Sequence, residues 1–142
     1  MNKNVKLYSQ RIAKKNALQL IYKIGPMAKF SDHSLYDESA TFFEVWIALS
    51  LLFLHILRSK IKNRHSLAKK IIDEVTFLFK NGDEKVKNGI VIGFLEDISN
   101  ENFRKNIPLN TIRSYLSSEL IGEFDSVLQF WGETALKKQN SD

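Results

Sequence analysis

GIVIGFLEDISN, residues 89–100, decides the fold. Two glycines four residues apart and a run of large apolar side chains lead straight into the acidic pair Glu96 and Asp97. Such a run can be a strand, a membrane helix or a buried helix. The residues before it choose among the three. Asp83 can accept the free N–H groups of a first helical turn, and Glu84 suits the positive end of a helix. Val86, Ile90, Val91, Phe94, Leu95 and Ile98 then fall on one side at helical spacing, without the alternation of a half-buried strand. The apolar core, residues 90–95, is far below the roughly twenty residues that cross a bilayer. A buried helix remains. Glycine inside a helix costs about 1 kcal/mol relative to alanine, so Gly89 and Gly93, one turn apart, predict a flat stripe against a bulky partner helix.

The partner is ATFFEVWIALSLLFLHIL, residues 40–57, whose apolar run is broken by Glu44, Ser50 and His55. A helix from Phe42 to Leu57 would be about 24 Å long, short of the roughly 30 Å of bilayer hydrocarbon. With Glu44 and His55 inside it, the segment reads as a very apolar central helix over about residues 38–60, covered by other helices, with Asp37 and Glu38 at its N-terminal end.

The rest of the chain is helical in period. Val5, Tyr8, Ile12, Leu18, Ile21 and Tyr22 predict a first helix stopped by Gly25 and Pro26. Leu67, Ile71, Val75 and Leu78 predict a third, capped by Ser66 and stopped at Asn81 and Gly82. NENFRKNIPLN is a turn-rich connection with Pro108 at the start of a short helix, and Leu120, Phe124, Val127, Leu128, Trp131 and Ala135 mark the last helix, preceded by Ser117 or Ser118. The fold class is all-α, a single domain over 1–142 of five to seven helices.

The 142 residues suit one core, and 44% hydrophobic content argues against disorder. The absence of cysteine excludes disulfides, thiolate metal sites and a cysteine nucleophile. MNKNVKLYSQRIAKK lacks the apolar centre of a signal peptide, so the expected location is cytoplasmic. The net charge of +5 is unevenly spread: residues 1–30 and 58–70 carry basic groups and no acidic ones, and all 16 acidic residues lie elsewhere. Different faces can therefore meet partners of opposite sign.

No motif of catalysis, phosphate cradling or metal binding stands out. His33, His55 and His65 are far apart in sequence, and His55 reads as a core histidine with one hydrogen bond. No cofactor or metal is expected, while the carboxylate pairs Asp37-Glu38, Asp73-Glu74, Asp83-Glu84 and Glu96-Asp97 could in principle serve acid-base chemistry. RSKIKNRH has the composition of a phosphate-binding patch, which keeps a small basic nucleic-acid-binding protein using Arg58, Lys60, Lys62 and Arg64 as the alternative reading. A solvated helix connection explains the same residues.

GDEKVKNGIVIGFLEDISN at 82–100 and YLSSELIGEFDSVLQFW at 115–131 have an order of their own. An acidic helix start leads to Gly-Phe-Leu-Glu, then, after a spacer, to Tyr-Leu-Ser and a helix closing in Phe-Trp. This pattern resembles small helical immunity proteins of bacterial contact-dependent growth inhibition and other polymorphic toxin systems. The resemblance implies a cytoplasmic, non-enzymatic inhibitor that binds one cognate toxin C-terminal domain, commonly a nuclease, with no small-molecule substrate and no membrane partner. It implies structural roles for Phe94, Leu95, Tyr115, Leu116, Phe130 and Trp131. A nuclease presents a basic cleft, so acidic groups of the inhibitor are the candidate contacts: Asp32, Asp37, Glu38, Glu96 and Asp97, with Tyr36 as an aromatic anchor. Helix capping and solubility account equally for each acid.

Overall fold

The computed structural model describes residues 6–30 and 39–140, with 131–140 described by backbone alone. Eight α-helices follow one another: α1 (Gln10–Met27), α2 (Phe42–Arg58), α3 (Arg64–Asn81), α4 (Glu84–Ile90), α5 (Glu96–Ser99), α6 (Glu101–Arg104), α7 (Leu109–Tyr115) and α8 (Ser118–Asn140). A π-helical segment, Val91–Leu95, joins α4 to α5, so these three form one rod. Counted by rods, seven helices build an all-α domain, and the described residues contain no strand. An isolated parallel bridge pairs Tyr8 with Gly82: Tyr8 N–H donates to Asn81 at 2.7 Å, and Asp83 N–H donates to the Tyr8 carbonyl at 2.9 Å.

Helix α2 lies against α1, α3 and the α4–α5 rod. Val45, Trp46, Leu49, Leu52, Phe53, Leu54 and Ile56 are fully enclosed. It begins later than the sequence predicts. Thr41 caps it in a reciprocal box, its Oγ1 accepting from Glu44 N–H at 3.2 Å while Glu44 Oε1 accepts from Thr41 N–H at 2.8 Å. That box fixes the start at Phe42, where four free N–H groups need acceptors. Asp37 and Glu38 lie outside the described residues. No helix among the described residues is long and apolar enough to cross a membrane.

The glycine stripe of the rod receives α2. A Cβ on Gly89 would collide with the Phe42 ring and stand 3.2 Å from Trp46 Nε1; one on Gly93 would stand 2.8 Å from Trp46 Cβ. Only hydrogen at these positions lets the indole approach. Elsewhere the element ends differ from expectation. Pro26 lies inside the last turn of α1, where Ser9 caps the start, and the chain turns only after Ala28, at Lys29 with φ 55. Helix α3 starts at Arg64 with Asn63 as N-cap, so Ser66 sits inside the first turn and caps nothing. The start is set by the turn before it, closed by Arg64 N–H on the Ile61 carbonyl at 3.3 Å. Asp83 does cap α4, accepting from Val86 N–H at 2.9 Å.

Candidate functional site: an acidic, apolar-floored groove beside a π turn

The π segment is the local feature that builds the site. Glu96 N–H bonds to the Val91 carbonyl, five residues back, where an α-helix would reach four. The inserted residue lets three successive positions, Gly93, Phe94 and Leu95, all be buried. It also sets the directions of the two acids that follow. Adjacent helical residues point about 100° apart, and here they part company.

Asp97 turns toward α2. Its Oδ2 accepts from Ser50 Oγ at 3.3 Å, a hydroxyl that shares its one proton with the Ile47 carbonyl at 2.6 Å. Burial pushes the Asp97 carboxyl up to about 6, against a smaller lowering by Ser50 and a further rise from the neighbouring Glu96 charge. Once protonated, Asp97 can donate to Ser50 Oγ, whose hydrogen then goes to the Ile47 carbonyl alone. Glu96 turns toward α8. Burial raises its carboxyl as well. It lines a groove of about 230 Å³ with Val91, Glu123, Ser126, Val127 and Phe130. Among the described residues its walls hold two carboxylates and no basic group. Phe130 is 65% exposed, and Ile92, on the π turn, is 53% exposed.

Of the sequence-predicted acids, the two that are described, Glu96 and Asp97, face different elements. Glu96 faces a groove, Asp97 serves the α2 contact, and Asp32, Tyr36, Asp37 and Glu38 lie outside the described residues. Glu123 was not singled out by sequence; its position one turn before Val127 and two before Phe130 is the signal that would have found it. Phe130, expected to be structural, is instead on the surface, while Phe94 and Leu95 are fully enclosed and Leu116 is 7% exposed. The side chain of Trp131 lies outside the described part.

In the basic stretch the two arginines bond to backbone carbonyls. Arg58 donates to the Phe103 carbonyl and Arg64 to the Ser59 carbonyl at 3.4 Å, while Lys60 and Lys62 are exposed in the α2–α3 connection. His55 is half-buried, and its Nε2 donates to the Ala28 carbonyl at 2.7 Å. No group of three His, Asp or Glu among the described residues could hold a metal.

A family model described as Domain of unknown function (DUF7674) matches residues 28–132. The chain belongs to this family. The DUF7674 span begins at Ala28, the C-cap of α1 and the acceptor of the His55 bond, and runs past Phe130, so it contains both the π turn and the groove. No curated protein and no solved structure matches the chain.

Proposed function

We propose that the protein is an immunity protein that binds and neutralises a cognate bacterial toxin domain, of nuclease type, in the cytoplasm of the cell that makes it. The observation that carries the reading beyond the sequence resemblance is the groove at the π turn. An exposed phenylalanine stands beside two carboxylates, with no basic neighbour among the described residues of the wall. That combination suits a partner with a basic, phosphate-binding surface. The apolar floor supplies the anchor of an interface, and the acids steer and orient the partner. Glu96 and Glu123 stand where the partner would otherwise hold phosphates. Phe130 inserts as the aromatic contact, and Asp97 holds the rod against α2 so that Glu96 is presented outward.

The test is to look immediately upstream for a gene whose product ends in a toxin domain and to co-express that domain with this chain. Restored growth and co-elution of the two chains on gel filtration are the expected results. Continued growth arrest together with separate elution would reject the reading.

A further inference from the structure

A second groove, of about 560 Å³, opens where the end of α2, the start of α3 and α7 meet. Arg64 and His65 line it from the first turn of α3, and Asn110, Thr111, Ser114 and Tyr115 line it from α7. No carboxylate is among its described lining residues. Arg64 is half-buried and gives one long N–H contact, 3.4 Å, to the Ser59 carbonyl. The rest of its five-donor fork is left for a ligand. His65 is hydrogen-bonded through Nδ1 to the Tyr115 hydroxyl and stacks on that ring, with centroids 5.7 Å apart and planes at 19°. Tyr115 is held in turn by the edge of Phe53 at 6.1 Å. The imidazole is thereby oriented by a ring anchored in the core, and Nε2 is the nitrogen it can offer. Asn63 gives the first turn of α3 no side-chain cap, which leaves the positive end of an 18-residue helix beside the groove.

We propose that this groove binds a phosphomonoester. The guanidinium of Arg64 pairs with two phosphate oxygens, as a planar fork does with a tetrahedral anion. The Thr111 and Ser114 hydroxyls and the Asn110 amide supply neutral donors to the remaining oxygens. Ser114 now donates to the Thr111 carbonyl at 2.6 Å and can rotate toward the ligand. The carboxylate-free wall disfavours a metal cation. The volume suits a ligand about the size of a mononucleotide. The groove lies on other elements than the acidic one at α8, so the proposal stands or falls independently of toxin binding.

The full chain is titrated with inorganic phosphate, AMP and adenosine, following the His65 ring signals by NMR and the melting temperature. Phosphate and AMP should shift the ring signals and raise the melting temperature, and adenosine should do neither. Arg64→Met should weaken AMP binding by at least about tenfold, with Arg64→Lys recovering part of the loss. If Arg64→Met does not fold, Thr111→Ala, an exposed change on α7, should give a smaller loss in the same titration. The proposal is overturned by a silent wild type, by equal AMP affinity in Arg64→Met or in Thr111→Ala, or by binding confined to longer RNA.

Discussion

Gly93 shows how a missing methyl group can hold a helix pair together. A Cβ there would lie 2.8 Å from Trp46 Cβ, an atom next to the backbone of a fully buried residue that has no room to swing away. Gly93→Ala should therefore lose about 1–3 kcal/mol, overpacking outweighing the gain of about 1 kcal/mol in helix propensity. Gly122, in α8, has open space where its Cβ would be. Gly122→Ala should raise stability by up to about 1 kcal/mol. Chemical denaturation of the pair checks both, and a raised midpoint for Gly93→Ala would contradict the packing described. The stripe was legible in the sequence because two glycines one turn apart are costly unless something needs them; the identity of the seated ring was not, since it depends on where α2 starts.

Asp97 makes a second residue-scale prediction. Its folded value of about 6 is above the ordinary 3.8, so the folded state binds the proton more tightly than the unfolded one. Stability must then fall as pH rises from about 4 to about 6, with the full penalty present above that window. Glu96 and Glu74, both raised by burial, slope the same way, while exposed Glu119 and Asp125, both lowered, slope the other. Because Asp97 is only half-buried, solvent screening limits its share to about 1–2 kcal/mol. Asp97→Asn should flatten the slope and raise unfolding free energy near pH 7, measured by urea denaturation across that range. An unchanged slope would show that Asp97 does not carry it.

At the scale of elements, capping sets where helices begin, and capping residues were only partly readable. Asp83 was unambiguous: a short acid before an apolar-periodic run, and it bonds Val86 N–H as expected. Asp83→Ala should cost about 1 kcal/mol in thermal or chemical denaturation, with the rod itself retained by packing on α2. Ser66 was misleading because Arg64, two residues earlier, already closes a turn on Ile61 and starts the helix with Asn63 as N-cap. The π turn left no mark in the sequence. Apolar residues at 90, 91, 94, 95 and 98 fit an uninterrupted α-helix equally well, and the extra residue is required only once Gly93 must meet Trp46 while Phe94 and Leu95 also enter the core. Its effect reaches the surface, since it sets the directions of Glu96 and Asp97.

For the whole molecule, helical periodicity sufficed to give an all-α domain, because core positions on each helix recur every three or four residues whatever their neighbours. The surface did not follow from it. Phe130 continues the apolar period of α8 and so looks like core, yet the ring is 65% exposed. Likewise, the choice between Glu96 and Asp97 rests on Ser50, 47 positions from Asp97 in sequence. The central claim is that the groove of Glu96, Glu123 and Phe130 docks the toxin domain. The most direct measurement is calorimetric titration of the cognate toxin domain into the wild-type chain and into a Glu96→Lys, Glu123→Lys double variant. We expect a tight complex with the wild type and at least about a hundredfold weaker binding by the variant, from charge reversal against a basic surface, at a nearly unchanged melting temperature. Undetectable binding by the wild type, or equal affinity in both chains, would contradict it.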